Sequence, residues 1–257
     1  MSTQTAEVPA AARPASDDVE MTFTEHLAEL RTRLLISIAS IAIISIVALP
    51  FMLNGWVLTF VESDFLHGIT LHVFSPTEII RVYLKLSLLV GLVVAFPIIL
   101  VQAYAFVAPA LDRRVRTRIV WYALPSFAMS ALGIAFCGFF VLPLVMRALL
   151  RLTAASGLVG TYQLEPTIGF ITVLLAVFAV MFQLPIVLSI LASVGLVNAR
   201  MLAKQWRYAT MIIVILAAIA APDGNPLTMT LLAAPLLVLY ALSVVVVRFT
   251  QPKISPR

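Results

Sequence analysis

Few side chains in this chain are suited to chemistry, and the most suggestive are carboxylates and amides beside or within apolar stretches. Glu29 stands five residues before the first long apolar run, with Arg33 one helical turn after it. Gln183 lies inside another apolar run, two residues before Pro185. A carboxylate pairs well with a guanidinium through charge-assisted hydrogen bonds, and a buried amide must find a partner. These residues predict binding rather than bond cleavage.

The motifs of hydrolases, metalloproteases and nucleotide-binding enzymes are absent from the sequence. It contains no HExxH, no GxSxG and no Walker loop. The three histidines, His26, His67 and His72, do not have the spacing of metal ligands. We therefore expect no metal site and no cofactor, and we expect that the protein is not an enzyme.

The elements that position these side chains are six apolar runs without a charged residue. They are Leu34–Val61, Leu86–Leu111, Ile119–Met146, Pro166–Ala199, Tyr208–Pro222 and Gly224–Val247. About 20 apolar residues cross the ~30 Å hydrocarbon core as a helix, and a chain with 62% hydrophobic and 11% charged residues is not an ordinary soluble domain. The sequence predicts an all-α membrane protein with six transmembrane helices in a single domain over 21–250. The predicted spans are about 34–54, 84–107, 119–147, 166–197, 208–222 and 227–247.

The fifth run is short, and the two tails outside the apolar region are polar. About 15 residues at 1.5 Å per residue cover only ~22 Å, which would thin the bilayer locally. Residues 1–20 have the composition of a disordered tail, and 251–257 form a second tail.

The basic residues predict the orientation of the chain in the membrane. Thirteen of the 17 Lys and Arg residues fall in the N-terminal segment, the loops near 112–118 and 200–207, and the C-terminal segment. The other four are Arg81, Lys85, Arg147 and Arg151. This asymmetry predicts that both termini are cytoplasmic. It also accounts for the net charge of +5 without a nucleic-acid partner.

Two interpretations of Glu29 are open from the residues alone. Thr22–Glu25 has the spacing of a capping box, and the following leucines predict a short amphipathic helix at the cytoplasmic surface. Glu29 either forms an i,i+4 pair with Arg33, worth a few tenths of a kcal/mol, or receives a cationic ligand.

Other polar and proline residues in the spans have mainly structural interpretations. Pro97, Pro143 and Pro185 predict kinks that together arch the helices around a concave face. Glu78 and Lys85 flank the start of the second span, and we expect both to reach the outer surface. Gln102 and Gln183 are buried amides. Gln183 either bonds within the chain or receives a partner's membrane helix.

An ordered set of short motifs resembles the TatC family, the multispanning receptor subunit of the twin-arginine protein translocase. The set covers about residues 22–250, and any one motif alone is weak. It consists of Phe23–Arg33, Ser75–Glu78 followed by Lys85, Phe96-Pro97 leading through Gln102 to Phe106–Leu111, Phe139-Phe140 with Leu142-Pro143, and Pro222-Asp223.

The resemblance implies a glove-like scaffold of six curved helices in the cell membrane, with both ends cytoplasmic. Members bind twin-arginine signal peptides of folded cargo, recruit small single-span TatA/TatB-type subunits, self-associate in a receptor complex, and use the proton-motive force. The matching positions for signal-peptide binding are Glu29, Phe106, Pro109, Leu111 and Asp112, and those for partner-helix docking are Gln183 and Asp223.

This chain departs from the family pattern at two glutamates. The glutamate that usually follows the Pro-Ala-Leu motif is Val115 here, which leaves Asp112 as the only nearby acid. The glutamate that often precedes the proline of the fourth span is Gln183 here. The resemblance therefore implies that Glu29 has a larger share of arginine recognition than in a typical relative.

Two functions of other classes are less consistent with the sequence. A small-solute permease is expected to show repeated halves and charged residues at mid-membrane, and neither is present. An intramembrane hydrolase lacks its nucleophile or metal ligands.

Overall fold

The computed structural model describes residues 23–55, 59, 71–107, 120–157, 160–193, 195–221 and 225–250. Several predicted features lie outside these residues. They are the tails 1–20 and 251–257, together with Pro109, Leu111, Asp112, Val115 and Asp223.

The regular secondary structure of the described residues is helical, apart from two strands of two residues each. The elements in order are α1 (Phe23–Leu53), β1 (Leu71–His72), α2 (Thr77–Val107), α3 (Val120–Phe136), a π-helix (Cys137–Val141), α4 (Leu142–Ala155), β2 (Tyr162–Gln163), α5 (Leu164–Met181), α6 (Leu184–Ser193), α7 (Ala199–Lys204), α8 (Trp206–Ala220) and α9 (Pro226–Thr250). The strands β1 and β2 are parallel, with Leu71 opposite Tyr162 and His72 opposite Gln163.

Five stretches within the described residues are long and apolar enough to cross a membrane. They are Thr24–Leu53, Thr77–Phe106, Pro125–Ala155, Leu164–Ser193 and Pro226–Thr250. The apolar helix α8 has 15 residues and is shorter than these five. The all-α membrane class is confirmed, whereas the sixth crossing and the side on which the termini lie stay predictions.

The predicted surface helix is not a separate element. It forms the first turns of α1, which continues without interruption through 31 residues. No proline or glycine occurs between Phe23 and Pro50, so no residue interrupts the hydrogen-bond ladder where the surface helix was expected to end. Glu29 therefore lies on the same rigid helix as the first span.

Prolines mark two irregularities in the long helices. Pro143 lies two residues after the π-helix, and its ring excludes the regular bond to the carbonyl of Phe139, four residues earlier. Pro185 lies just after the break between α5 and α6, where Phe182 and Gln183 form a turn. Pro97 lies within α2 without ending it. Whether these kinks surround a concave face stays a prediction.

Helix α5 contributes most of the fully buried side chains of the core. Helix α1 packs mainly against α2. Ile168, Ile171, Leu174 and Phe178 of α5 are completely or almost completely buried. The contact between α1 and α2 is close because Gly91 has no side chain. A Cβ there would overlap the Ser45 hydroxyl and lie 2.8 Å from the carbonyl oxygen of Ile41.

Candidate functional site

The antiparallel pair of α1 and α2 positions the residues with the most suggestive chemistry. The two helices are in close contact at Gly91. Toward the start of α1 and the end of α2, Arg33 contacts Gln102. Beyond it, His26 of α1 meets Phe106 of α2. Because both helices are long and continuous, the N-terminal end of α1 and the C-terminal end of α2 form one site.

The polar centre of this site is Glu29, which is bonded to Arg33. The Nε of Arg33 donates to Glu29 Oε1 at 2.9 Å, and its Nη2 donates to the same oxygen. The Nη1 of Arg33 donates to Gln102 Oε1 at 3.3 Å, which links α1 to α2. The side chains of Arg33 and Glu29 are 27% and 18% exposed. The i,i+4 pair considered from the sequence is therefore formed, and Gln102 extends it across the helix interface.

The second carboxylate oxygen of Glu29 is the unusual atom of the site. Glu29 Oε2 is buried and has no hydrogen-bond partner among the described residues. A buried acceptor without a donor costs about 1–3 kcal/mol. This oxygen therefore has unused acceptor capacity, while the other oxygen is occupied by Arg33.

An aromatic contact forms the apolar part of the same end. The rings of His26 and Phe106 stack with centroids 4.2 Å apart and planes inclined by 15°. Phe106 was predicted as a site residue, whereas His26 was considered only as a metal ligand. The stacking was not foreseeable because it joins residues that lie 80 positions apart in the sequence. The other predicted signal-binding residues, Pro109, Leu111 and Asp112, lie outside the described residues.

A second polar cluster occupies the opposite end of α2 and corrects one prediction. Glu78 was expected to reach the outer surface, but it is buried, with 2% exposed. Its Oε1 accepts a 2.7 Å hydrogen bond from Nε2 of Gln163. The segment around β2 covers the start of α2 and supplies a donor to this one oxygen, while Oε2 of Glu78 is buried without a hydrogen-bond partner among the described residues.

Lys85 also pairs within the protein, but its side chain is 41% exposed, so its expected position at the outer surface stays a prediction. Its Nζ donates to Glu165 Oε1 at 2.9 Å, and Nη1 of Arg81 donates to Glu165 Oε2 at 3.1 Å. Gly169, one turn later on α5, leaves room for Lys85, since a Cβ there would lie 3.0 Å from its Nζ. Glu165 and Gln163 were missed in the sequence because their partners are 80 and 85 residues away.

Gln183 makes its hydrogen bonds within the chain. Its Oε1 accepts from the Ser126 hydroxyl at 3.1 Å, and its Nε2 donates to the backbone oxygen of Ser126 at 3.0 Å. The residue is 4% exposed. Both polar atoms of the amide are thus occupied, which favours the intramolecular interpretation over partner docking.

Replacing Gln183 separates these two interpretations. Gln183→Leu is expected to lower the melting temperature in detergent and to leave co-purification of a single-span partner unchanged. Hydrogen bonds between membrane helices are worth ~0.6–2 kcal/mol. Ser126→Ala is the matched control, because it removes one of the two bonds from the other side. An unchanged melting temperature with about three- to thirtyfold weaker assembly would favour the docking interpretation instead.

Within the described ranges, no group of three His, Cys, Asp or Glu side chains is placed to hold a metal ion. The polar clusters consist of carboxylates, amides and basic groups bonded to one another. Together with the apolar helices, they define a multi-pass α-helical membrane protein.

Comparison with known proteins identifies the family. Residues 25–235 match the family model described as Sec-independent protein translocase protein (TatC). The Sec-independent protein translocase protein TatC of Aquifex aeolicus is 36% identical over 228 residues, covering 87% of this chain and 93% of that protein. The TatC protein of Listeria innocua is 31% identical over 233 residues, covering 91% and 94%. This chain belongs to the TatC family.

A solved structure gives the same result for the fold. The crystal structure of a twin-arginine translocase receptor, TatC, superposes with a TM-score of 0.75 at 34% sequence identity. The match covers 88% of this chain and 99% of that one. Members of the family are components of a protein translocase and are not catalytic enzymes. Membership therefore agrees with a role in protein transport at a membrane.

Proposed function

We propose that this chain is the receptor and scaffold of a twin-arginine translocase. It binds the paired arginines of signal peptides on folded cargo at the end of the α1–α2 pair. The observation that carries this proposal is Glu29, whose Oε2 is buried and without a hydrogen-bond partner among the described residues. In a chain of the TatC family, a guanidinium is the ligand that best satisfies such an oxygen.

The surroundings of Glu29 support a peptide ligand. Leu27, Leu30 and Leu34 of α1 are exposed beside the site, and the stacked pair of His26 and Phe106 adds aromatic surface. A signal peptide combines basic residues with an apolar segment, so a carboxylate next to apolar surface suits both parts. Pro109, Leu111 and Asp112 are proposed to complete the site.

The proposal includes the wider translocase. Small single-span TatA/TatB-type subunits are recruited to the membrane-embedded helices, copies of the chain associate in a receptor complex, and the proton-motive force drives transport. Asp223 is proposed to take part in partner docking. Gln183 contributes less to docking, because its amide is already bonded to Ser126.

Both termini are proposed to be cytoplasmic, as the thirteen basic residues on that side indicate. Reporter fusions at residues 65 and 257 are therefore expected to report opposite sides of the membrane, the second of them cytoplasmic. Activity of both reporters on the same side would contradict the six-span topology.

Selective capture of cargo tests the proposed function. The full chain in detergent is incubated with a folded cargo whose signal contains Arg-Arg and with the same cargo carrying Lys-Lys. The Arg-Arg cargo is expected to co-purify and the Lys-Lys cargo is not. Equal recovery of the two cargoes would argue against a twin-arginine receptor.

A further inference from the structure

We propose that Arg33 is a positioning residue that sets the selectivity of the Glu29 site for guanidinium over ammonium groups. The inference rests on the proposed function, because it concerns how the same site recognises its ligand. It assigns to Arg33 a role other than that of a surface ion pair.

The hydrogen-bond pattern of Arg33 is the first reason. A guanidinium and a carboxylate commonly form two parallel bonds that use both oxygens. Here Nε and Nη2 both donate to Oε1 of Glu29, and Oε2 remains without a partner in the described part of the chain. Arg33 therefore holds the carboxylate through one oxygen and leaves the other for a ligand.

Gln102 is the second reason, because it anchors Arg33 from the neighbouring helix. Its Oε1 accepts from Nη1 of Arg33 at 3.3 Å. Gln102 lies on α2 one turn before Phe106, which stacks on His26. The guanidinium of Arg33 is thus held between two helices, and this contact limits rotation of the Glu29 side chain.

Charge is the third reason. The positive charge of Arg33 offsets that of the Glu29 carboxylate, so an approaching cation gains less from long-range attraction. Binding then depends on short-range hydrogen bonding and on the cost of removing water from the ligand. A guanidinium is less strongly hydrated than an ammonium and presents several donors in a plane, so it loses less when it enters a half-buried site. Without Arg33, Glu29 is an unpaired, mobile carboxylate that attracts either cation.

The test measures the ratio of two affinities. The full chain in detergent is titrated with a fluorescent signal peptide containing Arg-Arg and with its Lys-Lys counterpart. Arg33→Met is expected to lower the ratio of Arg-Arg to Lys-Lys affinity about tenfold, because the Glu29 carboxylate is no longer held in place for a charged hydrogen bond to the guanidinium. Arg33→Lys, which keeps the charge, is expected to restore part of the selectivity.

Two further variants keep the test informative if Arg33→Met does not fold. Gln102→Leu removes the anchor alone and is expected to lower the ratio by about threefold, as for a weak neutral hydrogen bond. Arg200→Met is the matched control, because it makes the same change of charge at an exposed position outside the site. It is expected to leave the ratio unchanged.

Three results would overturn the inference, and they are distinguishable. A lower melting temperature of Arg33→Met with the ratio intact would show a structural pair only. Tighter binding of both peptides by Arg33→Met, with the ratio intact, would show that Arg33 only competes with the ligand. If the unmodified protein itself does not prefer Arg-Arg, the proposed function fails and the inference fails with it.

Discussion

Glu29→Ala is expected to lower the affinity for a twin-arginine signal peptide by about ten- to a hundredfold, while expression and membrane insertion stay normal. A hydrogen bond to a charged group contributes ~1.5–3 kcal/mol, which corresponds to one to two decades in affinity. We expect a large effect because the family resemblance implies a second glutamate at the position of Val115, which leaves Asp112 as the only nearby acid. The dissociation constant is measured with the full chain in detergent.

Two variants serve as controls for Glu29→Ala. Glu25→Ala removes an exposed carboxylate one turn earlier on α1 and is expected to have little effect on binding. Val115→Glu is expected to strengthen binding, since it restores a second carboxylate. Normal binding by Glu29→Ala, with a small stability coupling between Glu29 and Arg33 in a double-mutant cycle, would leave Glu29 a structural pair. The signal site would then be sought first at Asp112.

Gly91→Leu is expected to be the most destabilising single substitution among those considered. Even a Cβ at residue 91 would overlap the Ser45 hydroxyl and press on the carbonyl oxygen of Ile41, which is backbone and cannot rotate away. Overpacking of this kind costs ~1–3 kcal/mol or more. The two helices must move apart, and the contact between Arg33 and Gln102 weakens with them. Both the melting temperature and signal binding are therefore expected to fall.

Val94→Leu is the matched control for Gly91→Leu. It enlarges a side chain on the same helix at a position that is 42% exposed. It is expected to leave the melting temperature nearly unchanged. A similar loss in both variants would indicate that helix α2 tolerates no enlargement, and a loss in neither would show that α1 and α2 are not closely packed at Gly91.

The sequence predicted the helices well because their signal is local. Each long apolar run is largely helical, and the fourth run is divided between α5 and α6 by a turn at Phe182 and Gln183, just before Pro185. The capping box at Thr22–Glu25 agrees with the start of α1 at Phe23, but the sequence did not predict that the surface helix and the first span form one helix. The change from polar to apolar residues near Leu34 indicated a boundary between two elements, but composition alone does not break a helix. With no proline or glycine before Pro50, the helix continues from Phe23 to Leu53.

The partners of the polar residues were much harder to predict. Glu78 is followed at the right spacing by Lys85, which suggested that both reach a surface. Their actual partners, Gln163 and Glu165, come from a segment about 80 residues away. The contact between Arg33 and Gln102 is also long-range, separated by 69 positions. The periodicity of a helix shows which of its own faces is apolar, but it does not show which residues of another helix pack against that face.

Gln183 shows the same limit in another form. A buried amide requires hydrogen-bond partners, and the amide of Gln183 has them in the structure. The identity of the partner, Ser126 on α3, depends on how α3 crosses α5 and α6. The close approach of Gly133 to Phe178, where a Cβ would lie 2.8 Å from the Phe178 carbonyl oxygen, sets that crossing. The sequence alone does not show which glycine lies at a helix contact.

Photo-crosslinking from Phe106 tests the central claim most directly. A photoreactive phenylalanine derivative replaces Phe106 with little change of shape. The same derivative at Phe74, which precedes the other end of α2 and is 67% exposed, serves as the control. Crosslinks to an Arg-Arg signal peptide are expected from residue 106, reduced with a Lys-Lys peptide, and none are expected from residue 74. Equal crosslinking of both peptides at residue 106, or crosslinking from residue 74 alone, would contradict a twin-arginine site at the end of the α1–α2 pair.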